Sequence, residues 1–415
     1  MDRKYPVVVI GGGIVGLSIA LTVQADGTDV LLIDKNDIGS GASFGNAGHI
    51  ATEQVFPVAD PSILKSIPGM LLDPLGALRL DWRYLLPLTP WLLKLLGNMR
   101  HKPFTHIHRA LITLNRASLD SWQSFSKKWQ LNDLVKITGS LLVAEKNQTL
   151  DKLSQDGEYL NSIGVQNQLL SQSQLLNREP ELASNQLGGL FYPNTGHVVD
   201  LASLHLRLEQ AFRQLGGEVL THCEVTAITT QSSDKSTVTT TLGKIEAKKV
   251  VIAGGAFSKS LVRMVSRINV PLETERGYHL MLPKEMGRLN VPVSSMDRRF
   301  IMTPMNGGLR LAGTVEYAGL KRPPNMQRAR QFLPLANPML NKALDSHQAS
   351  EWMGFRPTTA DSLPVIDKKG PYIFAFGHQH LGLTQAIVTA DIVNDLIQEQ
   401  PTIVDCSPFS IERFL

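Results

Sequence analysis

The stretch from Tyr5 to Asp34 constrains the fold more than any other part of the chain. It reads as strand, glycine turn, helix, strand and acid. Val7 to Ile10 is a short apolar run rich in β-branched residues, the pattern of a strand covered on both faces. Gly11, Gly13 and Gly16 then satisfy G-x-G-x-x-G. In such a turn the first glycine permits the tight bend. The second lets backbone approach a pyrophosphate, and the third lets helix and strand pack closely. Ile14 and Val15 open a helix whose apolar residues continue at helical spacing to Val23. Val30 to Ile33 is a second buried strand. Asp34 ends it, where a carboxylate can accept hydrogen bonds from a ribose 2′-hydroxyl, and Lys35 follows. A glycine motif alone is a weak signal. With strand, helix, second strand and acid all in register, it predicts a dinucleotide site on a Rossmann-like unit.

Two rival readings of the same stretch fail. It carries no charge from Tyr5 to Ala25, so hydropathy alone suggests a membrane anchor. With Arg3 and Lys4 in front it also suggests a signal peptide. Three consecutive glycines in mid-segment, however, would cost a helix about 1 kcal/mol each. No small-residue cleavage site follows, and Asp26 and Asp29 lead straight into another apolar strand. At 415 residues the chain exceeds one ordinary core and predicts two domains. With 43% hydrophobic and 19% charged residues, it has the composition of a soluble globular protein. A net charge of +4 and a pI near 8.9 are mildly basic. No Lys/Arg cluster is interleaved with aromatics, which argues against nucleic acid. Cys223 and Cys406 are the whole cysteine complement. They offer neither zinc spacing nor a disulfide framework, so no metal is expected and a reducing cytoplasm fits.

A second glycine-rich stretch runs from Gly39 to His49 and contains Ser43, Gly45, Asn46 and Gly48. Small residues with free N–H groups suit a loop along a phosphate or a flat ring. Prolines then recur from 57 to 103 among leucines. Tyr84 to Leu93 is uncharged, but ten residues holding Pro87 and Pro90 are too short to cross a bilayer. Trp82, Tyr84 and Trp91 lie beside Arg79, Arg83, Lys94 and Arg100. Residues 79–100 therefore fit either short helices capping the core or a membrane-surface segment. Residues 106–130 predict an amphipathic helix with Leu111, Leu114, Ser118, Trp122, Phe125 and Trp129 on its core face. The α/β pattern returns with a helix at 201–215 and strands at 218–220, 225–229, 236–242 and 249–253, the last running into Gly254 and Gly255. Residues 270–320 look antiparallel, and a helix covers 384–398. The expected fold class is α/β, α+β overall: a Rossmann-like domain (1–60, 194–262, 350–415) interrupted by an antiparallel-sheet substrate domain (61–193, 263–349).

Five blocks resemble one known family. They are VVVIGGGIVG with Asp34, GSGASFGNAGHI (39–50), KVVIAGGAFS (249–258), ERGYHL (275–280), and WMGFRPTTADSLPVI (352–366) with FGHQHLGLT (376–384). Together they resemble the flavin-dependent D-amino-acid oxidase superfamily, which spans D-amino-acid dehydrogenases, glycine and sarcosine oxidases, and proline-type dehydrogenases. The bacterial D-amino-acid dehydrogenase branch is most similar, especially enzymes acting on D-proline or hydroxy-D-proline. The resemblance implies FAD lying extended from the first strand. Gly11, Gly13 and Gly16 would hold its pyrophosphate at a helix N-terminus. Ile14, Val15 and Lys35 would flank it, and Asp34 would take the adenosine ribose. Val225 matches the adenine-contacting position, and Gly254 and Gly255 a second backbone approach. Ser43, Gly45, Asn46, Gly48 and His49 would lie near the flavin ring. Gly377 to Thr384, including His378, Gly382 and Leu383, would run beneath it. Cys223 falls at the adenine end and Cys406 past the last motif, so non-covalent FAD is expected.

Oxidising an amino acid requires a clamped carboxylate, a neutral amine and an aimed Cα hydride. A planar guanidinium holds a carboxylate with two parallel hydrogen bonds. Arg356, in Gly-Phe-Arg-Pro, matches the family's carboxylate-binding arginine. Tyr278 and His279 alternate on a strand, so one of them can face the ligand, and Tyr278 is the choice made here. Of His378 and His380, the second is the better candidate for a direct role. Positioning plus hydride transfer is the expected mechanism. The electron acceptor, quinone or O₂, is not separable in the sequence. The 79–100 segment favours a quinone and a dehydrogenase docked on the inner face of the cytoplasmic membrane.

Overall fold

A computed structural model describes residues 3–61, 69–70, 76–232 and 235–415. Of the prolines noted above, Pro68 and Pro74 lie outside the described residues.

The first sheet is built on strand Arg3–Ile10. It pairs in parallel with Val30–Ile33 on one side and Gly243–Ile252 on the other. Glu218–Leu220 and Tyr372–Phe376 extend the parallel order at either end. Val7 to Ile10 and Val30 to Ile33 are buried throughout, as unbroken apolar strands covered on both faces must be. Helix Ile14–Ala25 is also apolar all round. It packs against helices Leu201–Gln214 and Ala386–Gln398, so no side of it needs a polar face. Strands Val225–Ser232 and Lys235–Thr240 form the antiparallel edge.

The second sheet has the order Ser350–Thr359, Leu272–Leu282, Gly308–Tyr317, Phe300–Met305, Val293–Ser295, Ser140–Ala144, Gly188–Tyr192, Gln168–Ser171. All of its pairs along this order are antiparallel except Val293–Ser295 with Ser140–Ala144. Ser350–Thr359 belongs to this sheet, so the boundary expected at 350 cuts through it. The chain rejoins the first sheet only at Val365–Lys369, which pairs with Tyr372–Phe376. A small third sheet joins His49–Ile50, Gly196–Val198 and Val135–Lys136.

Residues 79–100 include a helix that caps the core on one side and is exposed on the other. Helix Leu85–Asn98 buries Leu88, Trp91 and Leu95, which pack with Met99, Tyr317, Ala59 and Ala360. Its other side exposes Leu86, Leu93 and Leu96, with Trp82 just before it at 70% exposure. Among the described residues no helix is long and apolar enough to cross a membrane. The tryptophan stripe of helix His101–Lys128 is core, as expected, and it also holds a loop. Trp122 Nε1 donates to Leu383 O at 3.0 Å and Thr384 O at 3.1 Å.

Candidate active site

Two cavities meet between the sheets. The first, about 480 Å³, begins at the glycine turn. The second, about 490 Å³, is walled by the second sheet and helix Leu85–Asn98. Asn46, Ala47, Ala312, Arg356, His380 and Leu383 line both and mark the junction.

The first cavity is largely made of backbone. Gly11 has φ +113°, and a Cβ there would collide with Ala253 O. The Gly12 N–H donates to Asp34 Oδ2 at 2.7 Å, and the Asn36 N–H donates to Oδ1 at 2.8 Å. Ser43 Oγ accepts from the Ile14 N–H at 2.8 Å, tying the second glycine stretch to the helix start. Gly13, Ile14, Val15, Asp34, Lys35, Ser43, Gly45, Asn46, Val225, Gly254, Gly255, Gly377, His378, Gly382 and Leu383 line it. Lys35 Nζ sits 3.3 Å from the centroid of Phe257, another lining residue. Cys223 lines the end beside Val225 and Asp34, whereas Cys406 lines neither cavity.

Four expected cofactor contacts fall elsewhere. Gly16 packs against Gly11 O, where any side chain would overlap, so its smallness serves helix–strand packing. Gly48 has φ +69° and backs onto Val198 O and Met305. Thr384 is buried, and its Oγ1 accepts the Ala51 N–H at 2.9 Å. His49 lines the second cavity, not the first.

Arg356 projects into the junction from strand Ser350–Thr359. Gly277, on the neighbouring strand, makes room for it, since a Cβ there would overlap the guanidinium. Arg356 Nη1 donates to Thr314 O at 3.0 Å, its one hydrogen-bond partner among the described residues. Burial lowers the guanidinium pKa, while Glu275 and Tyr317 oppose that shift. Glu275 is 3% exposed and accepts from the Tyr317 hydroxyl at 2.8 Å. Both line the second cavity. Burial raises the Glu275 pKa, against the pull of Arg356 and Tyr317.

Tyr278 does not reach the site, which corrects the sequence expectation. Strand Leu272–Leu282 alternates, and Glu275 and Gly277 face the cavities while Arg276 and Tyr278 face away. The Tyr278 hydroxyl donates to Glu316 Oε2 at 2.6 Å and accepts the Asn325 N–H at 3.1 Å. Arg276 donates to Gly319 O and Arg322 O. These two residues anchor the chain near 316–325. His279 lies on the cavity side but behind Trp352, which it stacks on at 5.2 Å, with Nδ1 2.8 Å from Gly45 O. The tyrosine in the site is Tyr317. The block ERGYHL did point here, but with the parity reversed.

The loop after Gly377 (φ +84°) is clipped to the Arg356 strand by the Gln379 N–H, 2.9 Å from Pro357 O. His378 Nε2 lies 3.0 Å from Thr389 Oγ1, so its ring is held against the last helix. Burial lowers its pKa to about 3. His380 differs: it is exposed, and it lines both cavities. The protein packed around its ring, with Arg356 adding, lowers its pKa to about 4. Among the described residues no group of His, Cys, Asp and Glu could hold a metal ion.

The profile of the FAD-dependent oxidoreductase family (DAO) matches residues 6–396. The chain belongs to this family. A D-amino-acid oxidase of Bradyrhizobium diazoefficiens is 31% identical, with both chains covered in full. A D-amino acid dehydrogenase of Vibrio atlanticus is 28% identical over 99% of this chain and all of the relative. Glycine oxidase from Geobacillus kaustophilus superposes with a TM-score of 0.79 at 22% identity, again over both whole chains, and shares the fold. The protein is an FAD-dependent oxidoreductase, and the first cavity fits its cofactor. Asp34 and Val225 stand at one end and the Gly377–Leu383 loop at the other, with side-chain-free backbone between, as an extended dinucleotide requires.

Proposed function

We propose that the enzyme oxidises D-amino acids to imino acids, with FAD bound non-covalently in the first cavity and the substrate in the second. The observation that carries this is Arg356 at the junction. A guanidinium has five N–H donors, and here one bond, to Thr314 O, is accounted for. A carboxylate in the second cavity can take two others in parallel. FAD, when bound, supplies a two-electron acceptor for the hydride leaving Cα. Arg356 fixes the carboxylate, Tyr317 and Glu275 line the cavity beside it, and neutral His380 adds no positive charge beside the substrate's amine. Much of the remaining wall is apolar, including Trp91, Leu92, Leu95, Met99, Phe300 and Val315. It suits an apolar side chain or a ring such as that of D-proline or hydroxy-D-proline. An acyclic imino acid would hydrolyse to a 2-oxo acid and ammonia, while a cyclic one persists.

The acceptor side of the proposal is a membrane quinone, reached from the inner face of the cytoplasmic membrane. Its support is the outer face of helix Leu85–Asn98, where Leu86, Leu93 and Leu96 are exposed beside Arg83, Lys94 and Arg100. Apolar side chains rimmed by basic residues are the composition of an interfacial segment. The test is to express this chain alone, load it with FAD, and assay a panel of D-amino acids with an artificial acceptor. Dye reduction without peroxide is the expected result. Peroxide formed from glycine or sarcosine would replace this reading with an oxidase. A yellow but inert protein would make the chain a flavin subunit that needs partners.

A further inference from the structure

A second set of buried ionisable groups borders the substrate cavity and takes no part in the carboxylate clamp. His49 and His197 are opposed across the antiparallel pair of His49–Ile50 and Gly196–Val198, so both side chains stand on one face. Glu53, four residues further on, puts Oε1 3.8 Å from His49 Nε2. The two side chains are only 6% and 10% exposed. His49 lines the cavity. Its Nε2, Glu53 Oε2 and His197 Nδ1 have no hydrogen-bond partner among the described residues. An imidazole and a carboxyl buried together but not hydrogen-bonded to each other cost stability and give little back as structure. The segment is nonetheless held firmly. Ala51 bonds to Thr384, and Asn115 donates to Gln54 O while accepting from Gln385.

We propose that His49 is the catalytic base that takes the proton lost by the substrate's ammonium, and that Glu53 is the positioning residue that holds and neutralises the resulting imidazolium. The proposal rests on the D-amino-acid reading above and names its acid–base step. An amino acid enters as the ammonium carboxylate, and the amine must be neutral before a hydride can leave Cα. One N–H bond of the ammonium breaks, and its proton joins the lone pair of the neutral His49 imidazole, whose Nε2 stays turned to Glu53. The Cα–H bond would then break with its electron pair, for which FAD held in the first cavity would be the two-electron acceptor. The nitrogen lone pair closes the C=N bond. The products are the iminium acid, a His49 imidazolium and reduced FAD.

Charge is balanced at both ends of the substrate. Arg356 meets the carboxylate, and the His49–Glu53 pair, with Glu53 ionised, meets the ammonium. The groups facing the pair are His197 and His380 on the His49 side and Tyr192 on the Glu53 side, with Lys136 beyond His197. Burial, with His197 and His380 adding, lowers the His49 pKa to about 3. Burial raises that of Glu53 to about 8, against hydrogen bonds from its own backbone and Gln54. The free enzyme therefore holds a neutral imidazole, and Glu53 gains its charge as pH rises through about 8.

The experiment follows flavin bleaching by a D-amino acid without oxygen, from pH 6 to 10, in the FAD-loaded protein. Wild type is expected to rise about tenfold per pH unit to a limb near 8, as one deprotonation requires. Glu53→Gln is expected to lose that limb, keep only that of the substrate's own amine, and run roughly 100-fold slower at pH 8.5. A second readout needs no turnover. 2-Aminoisobutyrate has the ammonium and carboxylate but no Cα hydrogen. Its binding, read as a shift of the flavin band, is expected to tighten through pH 8 in wild type and not in Glu53→Gln. Acetate, which lacks the amine, is expected to show no such tightening in either. If Glu53→Gln fails to hold flavin, His49→Asn carries both measurements. Variants that keep the wild-type limb and the wild-type binding curve overturn the proposal. A flavin-loaded wild type that no D-amino acid bleaches overturns the functional reading and this step with it.

Discussion

The two halves of the site are made differently. The cofactor half is mostly backbone from neighbouring residues: the turn at 11–15, the loop at 39–47 and the strand end at 253–255. Its specificity lies in missing side chains, so a glycine pattern announces it. The substrate half is side chains brought from remote segments: Trp91, Glu275, Tyr317 and Arg356 on four separate elements. The difference teaches that the first half fails when something is added, and the second when something is taken away.

The harshest test of that contrast is Gly16→Ala. The new methyl would overlap Gly11 O, which is backbone and cannot swing aside. We expect the protein to lose bound FAD and several kcal/mol of stability, on the order of an overpacked core, as measured by flavin content and thermal unfolding. Arg356→Ala comes next. Removing a bidentate charged clamp should cost about 10³ in kcat/KM while the flavin stays bound. Loss of flavin as well would erase the distinction between the halves.

Acid sensitivity sharpens it further. Burial holds His378 neutral with a pKa of about 3, whereas the unfolded residue protonates below about 6.5. Unfolding therefore takes up a proton between those values, and stability falls as pH drops through that window. His378→Gln should flatten the slope by about 1.4 kcal/mol per pH unit between pH 6 and 4.5, seen in denaturant unfolding. The smallest effect expected is that of Tyr278→Phe. It should cost about 1 kcal/mol of stability through the lost Glu316 and Asn325 bonds, and leave kcat/KM within about twofold. Tyr317→Phe should instead lower kcat/KM about tenfold, which places the working tyrosine by its consequences.

Much of the fold was legible because apolar runs and glycines report directly on strands and turns. Val7–Ile10, Val30–Ile33 and the strand entering Gly254 each read correctly from local pattern. Arg356 and His380, singled out by their motifs, both lie at the junction of the cavities. What failed was facing. An alternating strand offers two parities, and nothing inside ERGYHL says which is turned to the cavity; Gly277 does so only once Arg356 is seen to lie over it. Gly16, Gly48 and Thr384 were assigned to the cofactor because they sit in its motifs, yet they serve packing one layer behind. Tyr317, Trp91 and Glu53 carry no motif at all. Trp91 is placed by contacts with Tyr317 and Thr358, more than two hundred residues away, and Tyr317 by its bond to Glu275 on another strand.

The bond from the Ala51 N–H to Thr384 Oγ1 spans 333 residues, and Trp122 grips the same loop from a third place. A growing chain can form the first strand, turn and helix early, since those contacts are local. It cannot close the floor of the site until residue 384 has left the ribosome and found residue 51. Flavin uptake is thus a late event in the life of each molecule. The enzyme acquires its colour only after residues 51 and 384 have met.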